Sequence, residues 1–264
     1  MNMIKRLFNA HLLILLFGLM TSSYTLANDA SSNDGNVYLE QLPKWKNVLT
    51  NFVDDHGRID FASLSQDTAD LDDFVVAIET VSPSSHPQLF DTQSKVLAYH
   101  ANTYNALAMK GVIDREIPKN FSTLLKRASF FKFRKVVIGG KKTDLYTYEN
   151  KVIRPLGEAR MHFVLNCMVK DCPRLPREPF YAQTLENDLQ LAAQEFFNKE
   201  KHTRIDVQKK VLNLSGIMKF YTKDYVASGK KQDLVAYVNQ FREDKVPSDY
   251  KVKFIKYDWT VNKQ

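Results

Sequence analysis

Both cysteines of the chain fall within one short stretch, Met161-His162-Phe163-Val164-Leu165-Asn166-Cys167-Met168-Val169-Lys170-Asp171-Cys172-Pro173. Two thiols five positions apart support two kinds of chemistry. In an oxidising compartment they close a small covalent loop, a clip worth roughly 2 kcal/mol on chain-entropy grounds. Kept reduced, Cys167 is a candidate nucleophile, because a thiolate becomes reactive where an imidazole or a helix N-terminus lowers its pKa. His162 is the nearest imidazole, but on an extended strand residues 162 and 167 point to opposite faces, so this His is not automatically the base for this thiol. The clip, Cys167 joined to Cys172, is the preferred reading. Cys167, Cys172 and His162 would also make three metal ligands, yet thiolate sites compete poorly with oxidation outside the cytoplasm, so no metal and no cofactor are expected. Disulfide exchange generally uses the closer C-x-x-C spacing.

Asn102 and Asn105 project from one side of a helix alongside Ala98, Ala106 and Met109. Buried amides need partners, and hydrogen bonds to loop backbone are the preferred assignment. The functional alternative brings Asn102, Glu149 and His162 to a pocket near Cys167, as orienting group, acid or base, and nucleophile. His56, His86 and His202 stand singly, without zinc-site spacing. No Gly-rich phosphate loop, serine nucleophile elbow or dinucleotide fingerprint is present. Lys126, Arg127, Lys132, Arg134, Lys135, Lys141 and Lys142 interleave with Phe130, Phe131 and Phe133. Behind a signal peptide this mixture reads as the solvated side of a hairpin whose aromatic side is core, not as a nucleic-acid surface. An anionic envelope component, a polysaccharide or lipid headgroup, is the alternative partner.

These side chains need a scaffold. The 264 residues are 44% hydrophobic and 25% charged with 9 Gly and 9 Pro, which excludes collagenous, coiled-coil, disulfide-scaffold and wholly disordered classes. Lys5 and Arg6, the apolar run Leu12 to Met20 and the ending Thr25-Leu26-Ala27 predict a signal peptide over residues 1–27, cleaved after Ala27. The run is shorter than the roughly 20 residues that cross a bilayer, so no transmembrane span is expected after cleavage. Loss of Lys5 and Arg6 takes the formal charge from +7 to +5. Residues 28–36 are almost without apolar content and predict a disordered tether, leaving 37–264 as one domain in the periplasm or secreted.

Apolar spacing predicts helices over Tyr38 to Asp55, Leu71 to Val81, Gln93 to Asp114, Leu185 to Phe197 with Thr184 as cap, and near Leu234 to Arg242. The helix from Gln93 is apolar all round and should be central. Gly139-Gly140 between strand-like runs predicts a hairpin, and Asp144 caps a helix running to Arg154. A second hairpin over Thr203 to Leu214, a helix opened by Ser215 and a last strand over Lys251 to Trp259 complete the reading. The fold class is α+β: a single mixed domain, helix-rich, with a small antiparallel sheet of hairpins.

Tyr99-His100-Ala101-Asn102-Thr103-Tyr104-Asn105-Ala106-Leu107, the Gly139-Gly140 hairpin leading to Tyr148-Glu149-Asn150 and Ile153-Arg154, the segment His162 to Pro173, and Tyr257-Asp258-Trp259-Thr260-Val261-Asn262 together resemble the domain-of-unknown-function 547 family. The resemblance runs from about Ile59 to Asn262 and points to an exported bacterial member. It carries a site over onto Asn102, Tyr104, Asn105, Glu149, His162, both cysteines and Asp258. Members usually have an aromatic residue where His100 stands and a Glu-His pair where this chain has Glu149-Asn150, so no role of that second His is carried over.

Two functions follow. One is an exported envelope or periplasmic binding or accessory domain, clipped by Cys167 and Cys172, whose partner is an anionic envelope component or a small molecule and not nucleic acid. The other is a thiol-dependent hydrolase or acyl transferase with Cys167 as nucleophile and His162 or Glu149 assisting.

Overall fold

The computed structural model describes residues 36–264; the expected signal peptide, and the tether up to residue 35, lie outside them. Chain order gives α1 (Asn36–Phe52), α2 (Phe61–Leu64), α3 (Ala69–Thr80), α4 (Gln93–Ile113), α5 (Leu124–Ala128), the hairpin β1 (Val136–Ile138) and β2 (Lys141–Thr143), and α6 (Leu145–Tyr148). Then come α7 (Leu185–Asn198), β3 (Thr203–Asp206), β4 (Val211–Leu214), α8 (Gly216–Phe220), α9 (Thr222–Tyr225), α10 (Leu234–Val238) and β5 (Lys251–Phe254). This is a helix-rich mixed α+β domain. No helix among the described residues is long and apolar enough to cross a membrane.

The all-round apolar pattern of α4 has the expected outcome: from Leu97 to Met109 every residue is buried. Around it pack Trp45 and Leu49 of α1 and Phe74 and Ile78 of α3, with the Trp45 and Phe74 rings stacked at 5.6 Å. A second cluster, built on Phe196 and Phe197 of α7, Leu212 and Leu214 of β4, Met218 of α8 and Val252 of β5, forms the other half of the interior. Phe163 belongs to this second cluster and Met161 to the first, so the segment carrying His162 runs along the seam between them.

Sheets are minor. β1 and β2 pair antiparallel across Gly139-Gly140, where both residues have positive φ (55° and 76°), as a two-residue primed turn requires. The turn also donates its backbone N–H groups to the carbonyls of Ile78 and Glu79 at the end of α3. β3 pairs antiparallel with β4, but β5 lies parallel to β4, so the second sheet is not built of hairpins alone. The last strand stops at Phe254, short of the expected Trp259.

Beyond β5 the chain laces three distant segments together. Asn262 accepts from the N–H of Ile59, Trp259 from that of Phe121 and Thr260 from that of Lys170. In return the N–H of Asn262 bonds the carbonyl of Met168, inside the cysteine loop.

Three local expectations are corrected. Phe130, Phe131 and Phe133 are not on a strand; Ser129–Phe133 is a single π-helical turn continuing α5, so helical rather than alternating geometry decides which ring is core. Phe130 is buried, Phe131 half-buried and Phe133 66% exposed. Residues 159–163 form a 3-10 helix, not a strand. Thr184 precedes α7 as expected, but its hydroxyl bonds Asp188 instead of a free backbone N–H.

Candidate functional site

The first elements that build the site are α5, α6 and their π-helical continuations. Asp144 opens α6 by accepting from the N–H of Thr147 at 2.8 Å. The helix then widens to π geometry over Glu149–Ile153 and tightens to 3-10 over Arg154–Leu156 before Gly157 ends it at φ 78°. Single π turns recur at functional sites because they re-aim side chains. Here the widened turn directs Glu149, Asn150 and Arg154 into one cavity, and the π turn after α5 directs Phe131 and Lys132 into the same cavity.

That cavity holds about 640 Å³, within the range of small-molecule sites. It opens along the seam between the two apolar clusters. Its walls are largely aromatic: Phe131, Tyr146, Phe220, Tyr221, Tyr257 and Trp259, with Tyr104 from α4 below them. Glu149 is buried in its lining and accepts from the Tyr104 hydroxyl at 3.1 Å, with Tyr221 also on the cavity wall. Burial first, and then the Glu149 charge, push both phenols well above their ordinary value, so they act as donors at neutral pH. Among the described residues Glu149 forms no salt bridge.

Arg154 is differently placed. It grips Asp224 through two hydrogen bonds of 2.6 and 2.7 Å, and its guanidinium lies 5.2 Å from the Tyr221 ring. The same Asp224 carboxylate meets Nε2 of His162 at 2.8 Å, and the imidazole stacks on Tyr221 at 3.9 Å. Burial would raise the Asp224 carboxyl, but hydrogen bonds and charge from Arg154 and His162 hold it far below the usual carboxylate range. Two further cations sit over rings: Arg127 over Trp259 at 4.7 Å and Lys132 over Tyr146 at 4.2 Å.

Cys167 and Cys172 form a disulfide with Cα atoms 6.2 Å apart, and no free thiol occurs among the described residues. Both line the cavity, Cys167 half-buried and Cys172 buried. The Cys172 sulfur accepts from the backbone N–H of Cys167 at 3.0 Å, and the Tyr257 hydroxyl is 3.5 Å from each sulfur.

Of the residues singled out by sequence, Tyr104, Glu149, His162, Cys167 and Cys172 all line this cavity. His162 and Cys167 share it because residues 159–163 are 3-10 helix and residues 164–167 turn and irregular chain, not the strand that would part them. Asn102, Asn105 and Asp258 do not line it. Asn102 holds the Phe180 backbone through both its amide atoms (2.8 and 2.9 Å) and accepts from the Trp45 indole. Asn105 bridges the carbonyl of Val164 and the N–H of Asn166, fixing the approach to the cysteine loop. Asp258 accepts from Thr260 N–H, while its own N–H donates to Asp171. His100 bonds the Tyr148 hydroxyl at 2.6 Å, and burial lowers its pKa to about 4.

Of the basic stretch, Arg134 pairs with Asp114 and Lys135 with Asp144, Arg127 and Lys132 line the cavity, and Lys141 and Lys142 are exposed on the hairpin. Asp224, Tyr221, Tyr257 and Trp259 escaped sequence reasoning as site residues. Only the Tyr257-Asp258-Trp259 block gave any signal, and it drew attention to its middle member. Among the described residues no group of three His, Cys, Asp or Glu side chains is arranged to hold a metal ion.

Residues 88–197 match the model of a family described as a protein of unknown function, DUF547. The match takes in α4, both π turns and the cysteine loop, but not α8, α9 or the closing segment that supply Tyr221, Asp224, Tyr257 and Trp259. No curated protein and no solved structure matches the chain.

Proposed function

From the premise that this chain belongs to the DUF547 family through residues 88–197, a membership that assigns no chemistry, we propose that it is an exported binding domain for a small zwitterionic molecule. The carrying observation is the Glu149 carboxylate, buried in an aromatic cavity, accepting from the Tyr104 hydroxyl and in no ion pair, with the nearby Arg154 committed to Asp224. A buried charge of this kind is compensated by a ligand cation, and surrounding aromatic faces favour an ammonium group further. Arg127 and Lys132 also line the cavity, where an anionic group on the same ligand would meet them. Arg154 and His162 are engaged by Asp224 and serve to hold the wall. The clip between Cys167 and Cys172 supports binding over the thiol-hydrolase reading, since a nucleophile at Cys167 needs a free thiolate.

Calorimetric titration with phosphocholine as zwitterionic probe, beside choline and inorganic phosphate, tests the reading. Saturable phosphocholine binding exceeding either half-molecule, and weakened at least tenfold by Glu149→Gln in a protein that keeps its melting temperature, is the expected result. Heat signals absent for all three probes would sink it.

A further inference from the structure

We propose that the Cys167–Cys172 disulfide is an exchange site that oxidises small dithiols entering the cavity, in addition to being a clip. Three observations point there, and none concerns the Glu149 ligand. Both sulfurs line a cavity large enough for a small molecule, whereas a purely structural bridge needs no such access. The two cysteines are unequal: Cys167 is half-buried, while Cys172 is buried. The buried sulfur, which would leave, already accepts from the Cys167 N–H at 3.0 Å and shares with Cys167 Sγ the Tyr257 hydroxyl, 3.5 Å from both.

The steps balance as follows. A thiolate of the dithiol attacks Cys167 Sγ, forming a mixed disulfide and breaking the bond to Cys172, whose sulfur departs with the electron pair. The Cys167 N–H and the Tyr257 hydroxyl hydrogen-bond the new thiolate, which then takes up the proton released by the attacking thiol. Burial and the nearby Asp171 and Glu149 carboxylates push the Tyr257 phenol well above its ordinary value, so it remains a donor. The second thiol then attacks the substrate sulfur of the mixed disulfide and expels Cys167 as thiolate. The dithiol loses two electrons and two protons and becomes a cyclic disulfide; the protein gains them as two thiols. A second turnover needs a more oxidising disulfide to reverse both exchanges on the protein. Tyr257 is a positioning residue in this scheme.

The full chain, oxidised, is equilibrated with dithiothreitol at pH 7, quenched with an alkylating reagent and mapped, with near-ultraviolet circular dichroism recording the fold. Reduction of both cysteines while the native spectrum persists is expected. Cys172→Ser should form a mixed disulfide with oxidised glutathione at Cys167 much faster than Cys167→Ser forms one at Cys172. Tyr257→Phe should slow reduction by dithiothreitol about tenfold, the loss of one hydrogen bond to the departing thiolate, with the melting temperature of the oxidised form unchanged. Reduction that occurs only as the native spectrum is lost would overturn the proposal, as would equal reactivity of the two single-cysteine variants. If Tyr257→Phe fails to fold, those two outcomes still decide.

Discussion

His162 Nε2 and Asp224 Oδ2 meet at 2.8 Å although 62 residues separate them, and Arg154 closes on the same carboxylate from the other side. One half-buried carboxylate therefore joins the wall made by the cysteine-bearing segment to the wall made by α8 and α9. Removing it leaves the Arg154 and His162 donors without the acceptor they share.

Asp224→Asn should accordingly destabilise the fold by about 2 kcal/mol, the scale of hydrogen bonds to charged partners, lowering the melting temperature by about 4–8 °C. The folded-state pKa of Asp224 is depressed, so its contribution is complete above the unfolded value of 3.8 and is lost as the pH falls below that toward the folded value. Thermal melts at pH 6 and pH 3 check this: the gap between wild type and Asp224→Asn should narrow at the lower pH. A gap independent of pH would contradict the pairing.

His100 titrates in a different window. Burial lowers its folded pKa to about 4 from the ordinary 6.5, so the folded protein binds fewer protons than the unfolded chain between those values. Its contribution is present above pH 6.5 and declines by about 3 kcal/mol as the pH falls through that range. His100→Phe, which keeps an aromatic ring without a titratable nitrogen, should flatten the stability profile between pH 6.5 and 4. An unchanged slope in denaturant titrations would show that His100 is not the group responsible.

Asn102→Ala and Asn105→Ala should each cost about 2–4 kcal/mol, because every lost amide strands two backbone groups inside the core. Their effect on binding should separate from their effect on stability. At a temperature where both variants are fully folded, phosphocholine affinity should stay within about threefold of wild type for Asn102→Ala, since Asn102 contacts neither the cavity nor the cysteine loop. A selective loss of affinity there would place it in the site after all.

Cys167→Ser and Cys172→Ser should lower the melting temperature of the oxidised protein by similar amounts, the equivalent of roughly 2 kcal/mol, because either change opens the same loop. Differential scanning calorimetry under non-reducing conditions measures this. Grossly unequal losses would mean that one sulfur is held by packing independent of the bridge.

Much of the scaffold was legible because it rests on local rules. The all-round apolar residues of α4, the Gly139-Gly140 turn and the caps at Asp144 and Ser215 are each decided within a few residues. The clustering of both cysteines made their pairing readable for the same reason. What was not legible depends on long-range placement. Nothing near Asp224 in sequence announces Arg154 or His162, and the aromatic wall needs Tyr221 and Trp259 brought together from separate elements. The π turns were hidden too, since an inserted residue leaves the apolar spacing of a short helix almost unchanged. Residues 159–167 reversed one inference: a strand would have parted His162 from Cys167, whereas the 3-10 helix of Ala159–Phe163 and the irregular chain after it leave both on one cavity.

The lacing by residues 259–264 bears on how the molecule is reached from its unfolded chain. The Asn262 side chain bonds the carbonyl of Gly57, 205 residues away, and the adjoining backbone ties in Lys119, Phe121, Met168 and Lys170. Closing so long a loop is not much costlier in entropy than closing one half its length, by about 0.6 kcal/mol, but non-local contacts form only after the nearer ones have ordered the chain. The helices around α4 can collapse early, while Trp259 and Tyr257 reach the cavity only when the lacing forms. Until then Phe131 lacks its contact with Trp259, and Phe220 its contacts with Tyr257 and Trp259. A chain with its helices formed and this lacing still open would expose those rings, the kind of surface that a holding chaperone takes up.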